Sequence, residues 1–303
     1  MAFGLLAVTG VALAVARAVI EGRAAALGVG VCLTEATQQC FTGPVQPLYA
    51  GFRETFTMMR AWLVVAAPLV GVIVGAGLLA REVEQRTVLF VGTQAISRVG
   101  WWARTVAMAL VPAVVGVLAV TLLAGWALEP YAVLYRQERI GTLDFDISGI
   151  WPVAATVLAF ALAAAFGAVL RSSLAVVVAT VGVWVVLYAS LSETRYDLLP
   201  DAVDVVPAAS YTGFFDIDGL PQDLVYRGAG GEVVDLGVVA RTCGSSGTTD
   251  LCAGVTQVEL YYQPSSLFWP LQALQSAVVA VLASGLLAFS ALRWRRVMPG
   301  GAR

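Results

Sequence analysis

Six long apolar windows limit what this chain can fold into more than any other feature of its sequence. Each window holds about 20 residues, the length that an α-helix needs to cross the roughly 30 Å hydrocarbon core of a bilayer. Lipid cannot satisfy backbone N–H and C=O groups, so each window is predicted to be a transmembrane helix. The windows cover residues 3–20, 61–80, 105–127, 151–170, 172–191 and 268–292. We therefore predict an all-α polytopic membrane protein with a single transmembrane domain over residues 1–303.

Lysine and histidine are both missing from the sequence, and all 18 basic side chains are arginine. The phosphate-binding loop of an ATPase requires a lysine, so this chain cannot build one. Without histidine, the common zinc–water sites and the Ser-His-Asp triad are excluded as well. We therefore predict no catalytic residue, no bound metal or cofactor and no nucleic-acid partner, and we do not expect an enzyme.

The distribution of charge predicts which loops face the cytoplasm, because short arginine-rich loops stay inside. Segment 81–104, the turn at Arg171 and the C-terminal tail are rich in arginine, whereas loop 192–263 carries eleven acids against three arginines. Both termini and segment 81–104 are therefore placed in the cytoplasm, and loops 21–60, 128–150 and 192–263 outside. The first window has no basic stretch before it, so a secretory signal peptide fits poorly; a cleaved signal with five remaining spans is the alternative.

The four cysteines all fall in predicted outer loops, Cys32 and Cys40 in the first and Cys243 and Cys252 in the last. In an oxidising exterior, two local disulfides would each close a loop of about nine residues and contribute about 2.5 kcal/mol. A zinc site fits poorly without histidine, so free thiols are the main alternative.

Three glycines in the second window, Gly71, Gly75 and Gly77, predict a surface where another helix approaches closely. Gly71 and Gly75 have the G-x-x-x-G spacing, which places both on one helix face without side chains.

Two features of the outer loops resemble functional motifs. The pairs Asp144/Asp146 and Asp216/Asp218 have the D-x-D spacing of metal sites, but no bidentate glutamate follows at a calcium-loop distance. We therefore interpret both pairs as solvated loop faces. Within loop 192–263, two β-prone stretches flank residues 229–231 (Ala-Gly-Gly), which predicts a small β-hairpin in a loop that could cap an exit path.

Segment 81–104, REVEQRTVLFVGTQAISRVGWWAR, concentrates charge, amides and tryptophan between two apolar windows. Good helix formers begin it, and an apolar face could lie along the membrane interface while the charges meet a soluble partner. An ordinary arginine-rich inner loop is the alternative interpretation.

Three stretches carry a resemblance to a known family. They are GVIVGAGLLAREVEQRTVLFVGTQAISRVGWWAR over residues 71–104, RSSLA over 171–175 and YYQPSSLFWPLQALQS over 261–276. Together they resemble the permease subunits of type-2 ABC exporters from high-GC Gram-positive bacteria. The chain departs from that pattern at Leu267 and Gln275, where charge is expected.

The resemblance implies six spans per subunit, a second permease copy or paralogue, and two ABC ATPase subunits that hold ATP and Mg²⁺. It also implies a cytoplasmic coupling helix after the second span that docks on the ATPase. The residues that match the coupling helix of the family are Arg81, Glu82, Glu84, Thr87, Thr93, Gln94 and Arg98. Arg86, which lies between Glu84 and Thr87, is predicted to belong to the same site.

The function predicted from these features is the membrane-spanning subunit of an ATP-driven exporter in the cell membrane, in contact with lipid. The apolar spans favour a hydrophobic or amphipathic substrate that moves outward. A membrane anchor or sensor that transports nothing is the alternative, with loop 192–263 as its functional domain.

Oxidation of both cysteine pairs is the first testable prediction. All four thiols should resist a thiol-reactive reagent in unreduced cells and become reactive after reduction. Labelling of Cys243 or Cys252 only after the inner face has been made accessible would contradict the predicted topology.

Overall fold

The computed structural model describes residues 2–34, 46–84, 98–135, 139–170, 172–195, 201–208, 219–235 and 254–297. The chain divides into two compact units. The first comprises Met1–Gln137, Thr142–Ser192 and Pro270–Arg303, and the second comprises Glu138–Gly141 and Glu193–Trp269. Most of the predicted outer loop 192–263 belongs to the second unit, and the single transmembrane domain over residues 1–303 stays a prediction.

Helices make up most of the described chain. In order they are α1 (Ala2–Ala26), a 3-10 turn (Gly30–Leu33), α2 (Gln46–Glu84), α3 (Arg98–Tyr135), α4 (Thr142–Ile147), α5 (Trp151–Gly167), α6 (Ser173–Glu193) and α7 (Phe268–Val297). Two helices extend well beyond the apolar windows from which they were predicted. α2 begins at residue 46 rather than 61, and α3 ends at residue 135 rather than 127.

Five stretches of the described chain are long and apolar enough to cross a membrane. They are Ala2–Ala26, Gln46–Gly77, Val99–Tyr135, Ser173–Glu193 and Ser265–Trp294. The predicted fourth span, 151–170, is a shorter helix, because α5 ends at Gly167 after 17 residues, which gives about 26 Å. A helical chain with several candidate membrane spans is therefore confirmed, while the number six stays a prediction.

α2 packs more extensively on α5 than on any other helix, and two glycines of α2 make this approach possible. A methyl group at Gly71 would clash with the carbonyl oxygen of Thr156. At Gly75, it would lie 2.8 Å from both the Cβ of Ala163 and the carbonyl oxygen of Phe160. The backbones are thus in contact at both positions. By contrast, no atom of the described residues lies within 4 Å of the corresponding point at Gly77.

Aromatic and polar contacts join α1 and α2 to the C-terminal half of α3. The Tyr131 ring stacks on Phe56 with 5.3 Å between centroids, and its hydroxyl donates to the carbonyl oxygen of Ala16. The Arg17 guanidinium donates to the carbonyl oxygen of Trp126 and lies 4.3 Å from the centroid of its ring. These contacts explain why α3 continues past Pro130 as a helix, although proline removes one backbone donor.

The second unit contains a four-stranded antiparallel sheet. Its strands are β1 (Ala202–Pro207), β2 (Gly219–Gly228), β3 (Val233–Val234) and β4 (Val255–Pro264), arranged in the order β1-β4-β2-β3. Val225 of β2 and Val205 of β1 both pair with Glu259 of β4. One face of the sheet carries the apolar cluster Ala208, Tyr226, Val255, Val258 and Leu260.

The sheet corrects the predicted all-α class. The stretch predicted as a hairpin contains β2 and β3, in which Tyr226 pairs with Val234 and Arg227 with Val233. Between them, Gly231 adopts a φ of 82°, and its N–H donates to the carbonyl oxygen of Gly228. The strands β1 and β4 were not predicted. β4 ends with the YYQP residues that begin stretch 261–276, one of the three on which the family resemblance rests.

Crowding at Gly75 makes a testable prediction. Gly75→Ala should lower the free energy of unfolding by about 1–3 kcal/mol, because the new methyl group meets Ala163 and the α5 backbone. Gly77→Ala is the matched control, and it should be neutral or stabilise the chain by up to about 1 kcal/mol, since the methyl enters open space on an exposed helix face. Thermal unfolding midpoints in one detergent would compare the two, and equal midpoints would contradict close α2–α5 contact.

Candidate functional site

The predicted coupling segment lies between the end of α2 and the start of α3. Arg81, Glu82 and Glu84 belong to the last turn of α2, and Arg98 is the first residue of α3. The remaining residues predicted to dock on an ATPase lie outside the described residues; they are Arg86, Thr87, Thr93 and Gln94. The coupling role of the whole set therefore stays a prediction.

A stacked tryptophan pair lies close to the start of α3. Trp101 of α3 stacks on Trp294 of α7, with 5.4 Å between ring centroids and 14° between planes. Trp294 is buried and belongs to an apolar cluster with Val106 of α3 and Phe160 of α5. One turn earlier on α7, the Ser290 hydroxyl donates to a backbone carbonyl oxygen of α5. The part of segment 81–104 that belongs to α3 is thus tied to α7 and to the central helix α5.

A cluster of polar side chains lies at the other end of the first unit. From Arg60 to Glu84, α2 rises about 36 Å at 1.5 Å per residue, somewhat more than the hydrocarbon thickness of a bilayer. The cluster surrounds the short helix α4, and its members come from four elements. They are Arg60 of α2, Asp144 and Asp146 of α4, Tyr188 of α6 and Gln272 of α7, and we call them the α4 network.

Gln272 of the α4 network joins the end of α4 to the start of α5. Its Nε2 donates to the carbonyl oxygens of Phe145 at 2.9 Å and Ser148 at 3.1 Å. Its Oε1 accepts from the backbone N–H groups of Ile150 at 3.0 Å and Trp151 at 2.9 Å. Ile150, the N-cap residue of α5, makes no side-chain capping bond, so the amide of α7 supplies the missing acceptor.

Asp144 forms an ion pair with Arg60. The Nη1 atom of Arg60 lies 3.0 Å from Oδ2 and 3.3 Å from Oδ1 of Asp144, and both side chains are largely buried. Burial raises the pKa of Asp144 from 3.8 to about 6, while the Arg60 charge and a backbone N–H lower it. Desolvation is thus the larger effect, and this carboxyl group takes up a proton as the pH falls through about 6.

Asp146 is the most deeply buried carboxylate of the network. It is 3% exposed, and the Tyr188 hydroxyl donates to its Oδ2 at 2.5 Å. The interpretation of Asp144 and Asp146 as a solvated loop face was therefore wrong, because α4 turns both carboxylates towards spanning helices. The pair Asp216/Asp218 lies outside the described residues. No group of three His, Cys, Asp or Glu side chains that could hold a metal occurs in the described parts of the chain.

The sequence analysis missed Gln272 and the roles of Arg60 and Tyr188. Polar residues inside apolar windows point to such roles, since lipid-facing positions seldom carry them. Gln272 and Gln275 lie three residues apart, on one face of α7, and both are buried. The Nε2 of Gln275 donates to the carbonyl oxygen of Leu191 at 3.1 Å, in the last turn of α6. Gln275, where the family pattern is expected to carry charge, thus makes an uncharged contact between α7 and α6.

Of the four cysteines predicted to form disulfides, the structure describes Cys32. It lies in the 3-10 turn after α1 and packs against an apolar cluster that includes Leu33. Its predicted partner Cys40 lies outside the described residues, and so do Cys243 and Cys252. Both pairings stay predictions.

The raised pKa of Asp144 makes folding dependent on pH. Because the pKa in the folded chain, about 6, lies above the ordinary value of 3.8, the folded state binds the proton more tightly than the unfolded state. The resulting stabilisation is complete below pH 3.8 and is lost as the pH rises through about 6. Between pH 7.5 and pH 5, the wild-type thermal midpoint should therefore rise relative to that of Asp144→Asn.

Arg60→Gln provides the control for this pH dependence. It removes the charge that lowers the pKa of Asp144, so the same rise should occur at a higher pH. Parallel curves for the wild type and Asp144→Asn across this range would contradict the raised pKa.

The comparisons with known proteins agree with a membrane transport role. The family described as ABC-2 membrane transporter related matches residues 3–195, more than half of the chain, including segment 81–104 and α1 to α6. No curated protein and no solved structure matches the chain. The multi-pass membrane character and the resemblance to type-2 ABC permeases are thereby confirmed. The chain belongs to the ABC-2 membrane transporter related family, and it is a membrane permease of an ABC transporter.

Proposed function

We propose that this chain is the membrane-spanning subunit of an exporter, driven by separate ATPase subunits that dock on residues 81–104. The observation that carries the proposal is the family match, which runs through α2, segment 81–104 and α3 without interruption. ABC transporters of this family consist of a permease and an ATP-binding subunit, and the chain has no lysine with which to form a phosphate-binding loop. ATP and Mg²⁺ therefore belong to the partner ATPase.

Helix geometry supports a mechanical link between an ATPase and the far end of the first unit. α2 is one continuous helix of 39 residues, with Glu84 at one end and Arg60 about 36 Å away. Within segment 81–104, Trp101 stacks on Trp294 and so joins α3 to α7. A force on residues 81–104 would therefore reach α2 directly, and α7 through one buried side-chain contact.

Lipid-facing surfaces favour a hydrophobic or amphipathic substrate. The spanning helices carry exposed apolar side chains along most of their length, such as Val111 and Leu122 of α3 and Val178 and Val185 of α6. Part of this surface would contact lipid and part a second permease copy or a paralogue. Outward transport, with both termini in the cytoplasm, follows from the family resemblance and from the arginine distribution.

Removal of the sheet in the second unit distinguishes a transport function from the alternative of a membrane anchor or sensor. Residues 193–269 form this unit with Glu138–Gly141, and its sheet lies beyond the family match. A chain from which residues 201–264 were replaced by a short linker should keep its ATPase partner if the function is transport. Loss of function with the ATPase retained would mean that the sheet contributes to transport itself.

Glu82 and Glu84 provide the test of docking. An exposed charge pair contributes only about 0–1 kcal/mol, but removal of one partner from a desolvated interfacial pair costs about 2–5 kcal/mol. The double variant Glu82→Ala/Glu84→Ala should therefore insert normally, while the amount of co-purified ATPase and the rate of substrate efflux both fall by about tenfold or more.

Glu54→Ala is the matched control, because Glu54 is an exposed acid in the first turns of the same helix, remote from Glu84. It should leave both measurements unchanged. Normal export and full ATPase retention by the double variant would show that 81–104 is only an arginine-rich inner loop.

A further inference from the structure

Gln272 uses its full hydrogen-bonding capacity at the junction of α4 and α5. A side-chain amide has two N–H donors and an oxygen that accepts two bonds. All four are satisfied here by backbone groups of Phe145, Ser148, Ile150 and Trp151, within 2.9–3.1 Å. The side chain is fully buried, so any loss of these bonds would leave buried polar groups without partners.

Gly149 allows this close approach. Its φ is 65°, a conformation that glycine adopts without steric cost, and it lets the chain turn sharply between α4 and α5. A Cβ atom at this position would lie 3.0 Å from the side-chain amide of Gln272. Both the turn and the contact with α7 therefore depend on the absence of a side chain here.

Three long helices hold α4 at once. α2 holds it through Arg60 and Asp144 at 3.0 Å, α6 through Tyr188 and Asp146 at 2.5 Å, and α7 through Gln272. α4 has only six residues, which is too short for a helix to be stable without such contacts. Its position is therefore set by helices that are far apart in the sequence.

The contacts of α4 are sensitive to small helix movements. A side-chain contact is no longer a hydrogen bond once its donor and acceptor are about 3.6 Å apart, whereas helix shifts in conformational switches are typically about 1–2 Å. A shift of α2, α6 or α7 by that amount would break at least one of the three connections. All of them can be intact in only one relative arrangement of these helices.

We propose that α4 is a latch that holds α2, α6 and α7 in one state of the transport cycle, with Arg60, Tyr188 and Gln272 as its positioning residues. Release of the latch accompanies the rearrangement that an ATPase drives from residues 81–104. This last step rests on the proposed function, whereas the latch itself depends only on the described contacts.

Hydrogen exchange of the full-length chain in lipid nanodiscs tests the latch without any transport measurement. In Gln272→Leu, the amides of residues 142–148 should exchange faster by about tenfold or more, because the backbone carbonyls of α4 lose their donors. Tyr188→Phe removes one hydroxyl and should give a smaller increase in the same residues.

Gln275→Leu is the matched control, since Gln275 is equally buried on the same helix but donates to Leu191 of α6. It should leave residues 142–148 unchanged. Wild-type exchange of α4 in both Gln272→Leu and Tyr188→Phe would overturn the latch. So would faster exchange throughout the bundle in both variants, because the network would then stabilise the fold as a whole.

A second experiment tests release during the cycle. Hydrogen exchange is measured on the complex with the co-purified ATPase in two states. One state has no nucleotide, and in the other ATP is trapped by an ATPase variant that cannot hydrolyse it. The amides of residues 142–148 should exchange at different rates in the two states. Equal exchange in a complex shown to contain the ATPase would overturn the switching role. If no ATPase co-purifies, the proposed function fails together with the release step, and the first experiment still decides whether α4 is a latch.

Discussion

Close contact between α2 and α5 is the interaction on which the rest of the first unit depends. Lipid tails are as apolar as leucine, so helices in a bilayer gain little from burying apolar side chains against one another, and backbone approach matters more. Gly71 and Gly75 let α2 reach the backbone of α5. At the same contact, the Thr156 hydroxyl donates to the carbonyl oxygen of Ala67 at 2.9 Å. α5 is consequently buried on nearly all sides. With 17 residues it is short for a span that is exposed to lipid, so contact with other helices fits its length.

The α4 network places buried polar side chains at one end of the spanning helices of the first unit. Two buried carboxylates would destabilise a fold strongly if either were left alone. Each has a partner here, Arg60 for Asp144 and the Tyr188 hydroxyl for Asp146, and each partner comes from a different helix. Pairing of this kind contributes little net stability, but it makes one arrangement of the helices much more favourable than any other.

Sequence patterns predicted the helical membrane architecture well, because a long apolar window has few alternatives in lipid. Local sequence motifs likewise predicted the family that the comparison matched. The G-x-x-x-G spacing predicted the close helix contacts of Gly71 and Gly75. Prediction was poorer where structure depends on distant partners. Asp144 and Asp146 have the spacing of a solvated loop, and only the convergence of α2, α6 and α7 buries them. Strands β1 and β4 were missed for a related reason, since their paired residues, from Ala202 and Tyr262 to Pro207 and Gln257, are far apart in the sequence.

α2 connects the two ends of the first unit through a single helix, and one proline lies between them. Pro68 lacks an N–H, so the helix loses one internal hydrogen bond near this position and bends there more easily. Immediately beside it, Ala67 accepts the Thr156 hydroxyl, and Gly71 follows one turn later against the α5 backbone. α2 is thus fixed to α5 immediately beside Pro68, where the helix bends more easily. Under the docking proposed above for residues 81–104, a displacement of the Glu84 end would bend α2 at this contact, and the part of the helix beyond it carries Arg60.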